Sequence, residues 1–470
     1  MAPGDGDAED PAQEPSRVGG GPRPGVLRAV AEALRPGHTG AEEVRIVAVE
    51  RLSGGASRLT WSVLADPGGE VILQQERAGS AGANLPMGVQ AELLRRAAEL
   101  GVPVPQVIAQ GGVPGEAFVV LTRVEGESVP SRIRAEPGLA AGLEGLAFQV
   151  GRACARVHAM DPTGIEEHLA APDPIESMRT LLDHLGEPHP VFEAAIVELG
   201  RSRPPARRPA VVHGDLRMGN LLVSGEGMTA VLDWELAHMS SPVEDLGWFC
   251  ARAWRFGSPL HAGGVGTLEE LLEGYAAGGG TPPDSHELRW WEAYACLRWG
   301  LICVLQASVH LNGLHRSAEL AAIGRRAAEC EEDLLEILWG PSDQQPPPEP
   351  DDLRLPPHDA PGGGELLTAV REGLEAMRAR SSGAERFELR VAVNALEVVR
   401  RELAFGDLLQ RRHAARLSDL GVADDAELSA RIRQGSTDPG DRAVHRALRA
   451  MVRDKLAVSN PGYWDGDGPR

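Results

Sequence analysis

Three polar residues stand among apolar ones in the stretch VVHGDLRMGNLLVSGEGMTAVLDWE at residues 211–235: Asp215, Asn220 and Asp233. The apolar runs read as two short strands joined by a Ser-Gly-Glu-Gly turn, so the three side chains should converge at the open end of a hairpin. Carboxylate and amide oxygens on a loop suit a hard cation such as Mg²⁺, and a further carboxylate can act as a base toward a hydroxyl. These groups are the ones that phosphoryl transfer requires.

The order of these residues resembles a known catalytic loop. The interval from Asp215 to Asn220 equals that in the protein-kinase loop H-R-D-x-x-x-x-N, and a second aspartate follows downstream, as in kinases. The stretch also resembles the HGDxxxxN…DW motif of aminoglycoside phosphotransferases and related small-molecule kinases, a likeness that covers roughly residues 25–340. It implies that Asp215 is the catalytic base and that Asn220 and Asp233 bind Mg²⁺. For His213 it implies a structural brace of the loop, and an ordinary turn histidine is an equally good interpretation.

The same resemblance predicts a site for ATP in the first part of the chain. The turn SGGAS lies between the first two predicted strands, where Gly54 and Gly55 allow the backbone to approach phosphates and Ser57 can donate a hydrogen bond. The connector LTRVEG follows the last strand of this part, and we expect the backbone from Leu121 to Arg123 to contact the adenine edge. A plain hairpin turn and a plain strand end are the competing interpretations.

The sequence departs from the kinase pattern at one ion pair. Kinases use a lysine on the third strand, paired with a helix glutamate, but the third strand here reads VILQQER and the lysine position falls at Gln74 or Gln75. The glutamate position falls at Gln90. An amide pair would keep the contact without the charge and would bind phosphates less strongly. Arg58 or Arg77 could supply the missing cation.

Composition limits the classes of function. The 470 residues have a formal net charge of −21, which argues against binding to nucleic acid or anionic membranes. The sequence shows no obvious apolar run that would span a bilayer and no signal peptide at its acidic N-terminus, so a cytoplasmic location is expected. Its five scattered cysteines are interpreted as buried free thiols.

Hydrophobic periodicity predicts strands and one helix first, and mostly helices after Arg123. This order predicts an α+β, two-lobed protein kinase-like fold followed by a separate all-α C-terminal domain. The predicted segments are a disordered N-terminus (1–24), a nucleotide-binding lobe (25–123), a catalytic and acceptor-binding lobe (124–340), a Pro/Gly-rich linker (341–364) and a helical domain of unknown function (365–465).

Asn394 interrupts an apolar stripe of the C-terminal domain in ELRVAVNALEVV. We expect it to form a hydrogen bond at a contact between helices, and a ligand role is the alternative. Nearer the catalytic loop, Asp245 is interpreted as a structural brace.

The acceptor is expected to be a small molecule with a hydroxyl group. Tryptophans and arginines after Asp233 suit an anionic acceptor with an apolar part. The segment 233–257 resembles a bacterial branch related to kinase domains fused to acyl-CoA dehydrogenases, which favours a hydroxyacyl-CoA or another anionic metabolite. Two alternatives stay open: a nucleotide-binding regulator that contacts a protein partner through its C-terminal helices, and an aminoglycoside-resistance kinase.

Overall fold

The computed structural model of the chain describes residues 21–22, 24–35, 44–52, 58–76, 85–112, 117–342 and 362–463. The chain divides into two compact units. The sheet unit comprises the residues up to Arg95 together with Pro105–Arg123, and the helical unit comprises Arg96–Val104 and the chain from Val124 onward. Strands come first and helices follow, so the predicted α+β, kinase-like class is confirmed.

Five antiparallel strands form the sheet unit. In chain order they are β1 (Arg45–Arg51), β2 (Arg58–Asp66), β3 (Gly69–Glu76), β4 (Val107–Gly111) and β5 (Phe118–Thr122). Their spatial order is β1-β2-β3-β5-β4, so β3 and β5 lie inside the sheet with partners on both sides.

One face of this sheet packs against helix α1 (Pro24–Ala33). Val30 of the helix is buried in a cluster with Trp61, Leu73 and Val120 of the strands. Side chains alternate between the two faces of a strand, so the neighbours of these core residues face away from α1. That opposite face carries the polar residues from which a nucleotide site was predicted.

Helix α2 (Met87–Glu99) follows its predicted span, whereas strand β4 is absent from the sequence-based prediction. β4 is five residues long at the edge of the sheet, and its side chains are exposed or only half-buried. Such a strand lacks the buried apolar alternation that identifies strands in a sequence.

The helical unit contains most of the helices. Before the C-terminal region they are α3 (Pro130–Ala135), α4 (Pro137–Ala140), α5 (Leu146–His158), α6 (Pro174–Leu185), α7 (Pro190–Arg201), α8 (Val243–Cys250), α9 (Leu268–Ala277), α10 (Ser285–Leu311), α11 (Ala318–Gly324) and α12 (Ala327–Trp339). The segment from Ala318 to Trp339 thus contains two helices, α11 and α12, rather than one.

Two small antiparallel pairs interrupt these helices. The strands β6 (Ala210–Val212) and β9 (His238–Ser240) pair with each other, and β7 (Leu221–Ser224) pairs with β8 (Gly227–Val231) as the predicted hairpin. The catalytic motif thus leaves β6, enters β7 and returns through β8.

Helix α10 is long and apolar enough to cross a membrane by length and composition alone, which the sequence analysis did not anticipate. Inside the helical unit it packs against α6, α7, α8, α11 and α12. Its buried residues include Trp290, Leu297 and Leu301. A buried core helix passes the same test, so this feature is weak evidence for a membrane segment.

The C-terminal helices are α13 (Gly363–Arg380), α14 (Gly383–Asp419), α15 (Asp425–Arg433) and α16 (Arg442–Ser459). These helices share their buried core with helices of the preceding lobe. Leu448 and Val452 of α16 share one buried cluster with Val191 of α7 and Leu335 of α12. The predicted all-α region is present, and it is joined to the catalytic lobe by a continuous core.

Three consecutive acids of α12 are buried against these C-terminal helices. Glu331 binds Nζ of Lys455 at 2.8 Å, and Glu332 accepts a hydrogen bond of 2.6 Å from Arg453. Asp333 accepts a hydrogen bond of 2.7 Å from the Tyr463 hydroxyl. The only lysine of the chain is therefore used to join α16 to α12.

We expect Lys455→Met to destabilise the protein by about 2–3 kcal/mol, because it leaves the carboxylate of Glu331 buried without its main cation. Burial would raise the pKa of Glu331, but the charge of Lys455 and a bond to His189 lower it to about 2. The expected loss of stability is smaller than for a fully buried ion pair, because Lys455 is 45% exposed and water screens its charge.

Urea unfolding at pH 7 measures this effect, with Arg442→Met on the same helix as the matched control. Arg442 is exposed. Equal losses in the two variants would contradict the assigned ion pair.

The raised pKa of Asp333 predicts that the stability of the protein falls as the pH rises. Burial raises its pKa to about 7, against the lowering influence of Arg252 and the Tyr463 hydroxyl. The folded state therefore keeps a proton that the unfolded state loses near pH 4, and the free energy of unfolding falls as the pH rises from about 4 to 7. Asp333→Asn removes this contribution and should stabilise the protein at pH 8 by up to about 4 kcal/mol.

Urea unfolding of the wild type and Asp333→Asn at pH 4.5 and pH 8 measures the difference. The two proteins should be nearly equal at the lower pH, and an unchanged pH dependence in the variant would refute the raised pKa.

Candidate active site

The loop after β6 carries the predicted catalytic residues. Its backbone turns at Gly214, whose φ of +79° lies in the left-handed region. A Cβ atom at this position would lie 2.3 Å from the carbonyl oxygen of Leu236. Only glycine therefore fits between His213 and Asp215, and this explains the middle letter of the HGD motif.

The carboxylate of Asp215 is held by three hydrogen-bond donors. Its Oδ1 accepts from Nε1 of Trp248 at 3.0 Å, and its Oδ2 accepts from Nδ2 of Asn220 at 2.6 Å. Nε of Arg217 lies 3.1 Å from Oδ1 and 3.2 Å from Oδ2. These bonds fix the position of the carboxylate, and a carboxylate held in this way can serve as a general base.

The sequence analysis did not identify Trp248 and Arg217 as part of the site. Trp248 follows Asp245 by three residues on α8, so both side chains lie on the same side of that helix. The three-residue spacing could have indicated Trp248 as a site residue, because the sequence analysis had already interpreted Asp245 as a brace of the loop. Arg217 packs over the ring of Trp254 at 5.0 Å, a contact that spacing alone does not indicate.

His213 connects the catalytic loop to the base of the hairpin. Its Nε2 donates to the carbonyl oxygen of Leu232 at 2.9 Å, and its Nδ1 accepts from the backbone N–H of Asp215 at 3.3 Å. One ring nitrogen is thus directed to the hairpin and the other to the loop. These contacts match a brace rather than a proton donor to substrate.

Asp245 binds the backbone of the same loop. It is completely buried and accepts hydrogen bonds from the backbone N–H groups of His213 at 2.8 Å and Gly214 at 2.9 Å. Nε2 of His158 donates to it at 3.0 Å, and the hydroxyl of Tyr275 donates to the other ring nitrogen at 2.9 Å. Burial opposes ionisation, but these bonds and the nearby histidines lower the pKa of Asp245 to about 2.

A second ionic network supports the loop. Nη1 of Arg298 donates to the carbonyl oxygen of Gly214 at 3.0 Å and to Glu244 at 3.1 Å. Glu244 also lies 3.2 Å from Nε2 of His238. Burial would lower the pKa of His238, but the negative charge of Glu244 raises it.

The two residues predicted to bind metal lie at the base of the hairpin. Asn220 ends a short 3₁₀ turn before β7, and its carbonyl oxygen accepts from the backbone N–H of Leu232. Asp233 follows with a φ of +65°, a conformation that non-glycine residues rarely adopt. An aspartate with a left-handed backbone is typical of a functional site, and carboxylate and amide oxygens are donors that suit Mg²⁺.

A cleft of about 2470 Å³ opens at Asp215 and is lined by residues of the helical unit. Arginines outnumber carboxylates on its walls. The arginines are Arg134, Arg217, Arg252, Arg255, Arg289, Arg298, Arg325, Arg326, Arg390 and Arg401, and the carboxylates are Asp215, Glu292, Glu319, Glu329, Asp333, Glu336 and Glu397. Several guanidinium groups lie over indole rings, for example Arg298 over Trp248 at 4.8 Å.

The predicted nucleotide residues belong to the sheet unit. Gly54, Gly55 and Ser57 lie outside the described residues, and so does Arg77. Leu121 lies inside β5, where strands pair on both sides, so its peptide groups serve the sheet. The side chain of Arg123 binds Glu70.

The two glutamines do not bind each other among the described residues. Oε1 of Gln74 accepts from Nη1 of Arg58 at 3.5 Å, whereas the amide of Gln90 donates to the carbonyl oxygen of Leu85. Gln74 pairs with Thr60 across the sheet and lies on the face turned away from α1. Of the predicted substitutes for the lysine, Arg58 is therefore the one that the structure places beside Gln74.

A kinase-like fold with a carboxylate held by an Asp-x₄-Asn loop and a hairpin aspartate defines a phosphotransferase of the small-molecule kinase type. The chain belongs to the phosphotransferase enzyme family, whose model matches residues 48–291. A second family model, a domain of unknown function (DUF6285), matches residues 379–463. The first match assigns the chain to a family of phosphotransferases, and the second leaves the C-terminal helices without an assigned role.

One curated relative is similar to part of this chain. Acyl-CoA dehydrogenase family member 10 of Mus musculus is 25% identical over 274 residues, which are 53% of this chain and 25% of that one. This chain thus spans about a quarter of that relative.

Two solved structures are similar at lower identity. A candidate aminoglycoside phosphotransferase from Ralstonia eutropha has 21% identity and a TM-score of 0.52, covering 67% of this chain and 97% of its own. A thermostable aminoglycoside phosphotransferase variant in complex with AMP-PNP and hygromycin B has 15% identity and a TM-score of 0.44, covering 65% and 97%.

Proposed function

We propose that this phosphotransferase transfers a phosphoryl group from ATP to a hydroxyl of a small anionic metabolite. The observation that carries the proposal is the position of Asp215, whose carboxylate opens into an arginine-rich cleft. Asp215 accepts the proton of the acceptor hydroxyl as the hydroxyl oxygen forms a bond to phosphorus and the bond to ADP breaks. Trp248 and Asn220 hold the carboxylate in place, so little reorganisation accompanies this step.

Asn220 and Asp233 would hold Mg²⁺. When bound, the metal neutralises charge on the phosphates of ATP. Asn220 can serve both partners, because its Nδ2 is directed to Asp215 and its side-chain oxygen is the end that binds cations. The strained backbone of Asp233 then has a reason, since it directs a carboxylate to the same hairpin base.

Arg58 and Gln74 would together replace the missing lysine. An arginine on β2 that contacts the lysine position of β3 supplies a permanent positive charge for phosphate oxygens. Gln90 and the backbone at Arg123 complete the proposed nucleotide set, with Gly54, Gly55 and Ser57 from the glycine turn. Leu121 is left out because its peptide groups pair within the sheet.

The charge of the cleft supports an anionic acceptor. A protein with a net charge of −21 gathers an excess of arginines on one concave surface, and this arrangement favours anions there. The indole rings beneath these arginines offer apolar contacts. A hydroxyacyl-CoA meets both conditions, and the relative named acyl-CoA dehydrogenase family member 10 favours the same class by kinship. Aminoglycosides are polycations, and the arginine excess disfavours them.

A nucleotide-binding regulator is the second candidate, favoured by the loss of the strand lysine and helix glutamate at Gln74 and Gln90. Consumption of ATP with Mg²⁺ across hydroxyacyl-CoAs, hydroxy acids, sugars and aminoglycosides separates the two, with Asp215→Ala as the blank. Acceptor-dependent turnover that is lost in the blank supports the kinase. Binding of Mg-ATP without turnover for any acceptor supports the regulator.

A further inference from the structure

One face of the C-terminal helix α14 lines the same cleft as Asp215. Arg390 and Val391 follow Phe387 by three and four residues, Asn394 follows these two by four and three, and Val398 follows Asn394 by four. The five residues therefore form one stripe along the helix. All of them are cleft residues, and so is Asp215 in the catalytic loop. The C-terminal segment that matches the family of unknown function therefore forms one wall of the cleft that opens at Asp215.

The polar groups of this stripe are available to a ligand. Asn394 is exposed and has no hydrogen-bond partner among the described residues, so the helix-contact bond expected from the sequence is not formed. Arg390 lies over the ring of Phe387 at 5.1 Å and has no carboxylate partner in the described part of the chain. Arg401, in contrast, is held by the carbonyl oxygen of Val458 at 2.6 Å.

Contacts with the catalytic lobe hold this wall in position. Nη2 of Arg252 donates to the carbonyl oxygen of Tyr463 at 3.0 Å, and its guanidinium lies 4.6 Å from that ring. Glu402 of α14 pairs with Arg325, which follows α11. A stripe on a helix that is tied at several points is a preorganised surface, as a binding site requires.

The size of the cleft indicates an extended ligand. Sites for drug-sized ligands have volumes of about 300–1,000 Å³, whereas this cleft has about 2470 Å³. A molecule that places its hydroxyl at Asp215 leaves room for a long remainder. Arg390 offers a charge for its far end, and Phe387 offers an apolar surface.

We propose that the C-terminal helices form the far wall of the acceptor site, where Arg390, Asn394 and Phe387 bind the anionic end of an extended acceptor. The acceptor is then a hydroxylated molecule with a phosphate or carboxylate group distant from its hydroxyl and an apolar segment between them. This assignment rests on the proposed function for the role of Asp215. The binding of the anionic end is independent of catalysis.

Calorimetric titration without ATP tests the binding, with coenzyme A and 3-hydroxybutyryl-CoA as extended anionic probes. We expect Arg390→Ala to raise the Kd of both probes roughly tenfold, since a hydrogen bond to a charged group is lost, and Asn394→Ala to raise it roughly threefold. The matched control is Arg411→Ala, which removes the same charge from an exposed position of α14 outside the cleft. An unchanged Kd in Arg390→Ala, equal effects in Arg390→Ala and Arg411→Ala, or no binding of either probe to the wild type would overturn the assignment.

Kinetics and sedimentation separate this inference from the proposed function. If 3-hydroxybutyryl-CoA is phosphorylated, Arg390→Ala should raise its KM about tenfold with little change in kcat or in the KM of ATP. Probe binding that depends on Arg390, with no phosphorylation of any acceptor in the panel, would refute the kinase and leave the binding site standing. A change of oligomeric state in Phe387→Ala would show that the stripe contacts a second copy of the chain, and the acceptor assignment would fall.

Discussion

Replacement of Asp215 by asparagine should lower kcat by a factor of about 10³ to 10⁴ and leave the fold intact. Asparagine has nearly the same shape but does not accept a proton, and a positioned general base contributes about 10²- to 10⁴-fold to a rate. The upper part of that range applies because Trp248 and Asn220 fix the carboxylate at hydrogen-bond distance. The KM of ATP should change little, since the proposed phosphate contacts belong to other residues.

Steady-state kinetics with the best acceptor of the panel measure this effect, and thermal unfolding in parallel verifies the fold. Glu226→Gln is the matched control, because it removes one carboxylate from the exposed turn of the hairpin that carries Asn220. The control should retain full activity. If Asp215→Asn keeps more than a tenth of the wild-type kcat, another group is the base and the proposed mechanism is wrong.

The short-range parts of the site could be predicted from the sequence. The hairpin β7–β8 joins residues that are adjacent along the chain, so two apolar runs and a glycine turn were sufficient to predict it. The interval between Asp215 and Asn220 was likewise sufficient to predict the loop that holds them.

Contacts between distant segments could not be predicted in this way. Trp248 reaches Asp215 from a helix 33 residues downstream, and the sequence shows its tryptophan without showing its target. The sequence assigned Gln74 and Gln90 to the two positions of the kinase ion pair without deciding whether they meet, and the side chain of Gln90 bonds to the carbonyl oxygen of Leu85. The core shared by α12 and α16 joins segments more than a hundred residues apart, whereas the linker between them suggested independence. Periodicity identifies a buried face but does not identify its partner.

Replacement of Asp245 should cause the largest loss of stability among the variants considered. We expect Asp245→Asn to destabilise the helical unit by about 3–5 kcal/mol, because it breaks a fully buried charged network. The amide has one acceptor oxygen where the carboxylate has two. Its NH₂ group would face either the N–H of Gly214 or the N–H groups of His213 and His158. Activity should fall as well, since the displaced loop carries Asp215.

The pH dependence of unfolding identifies the charge of Asp245 as the cause. The pKa of Asp245 is lowered from 3.8 to about 2 in the folded state, so its contribution is complete above pH 4 and is lost as the pH falls through about 2. The wild type should lose this stability on acidification, and Asp245→Asn should lack that part of the change. Asp438→Asn, at an exposed aspartate paired with Arg201, is the control and should unfold at the same urea concentration as the wild type. A variant Asp245→Asn with wild-type stability at pH 7 would show that the hydrogen bonds to the loop do not depend on a carboxylate.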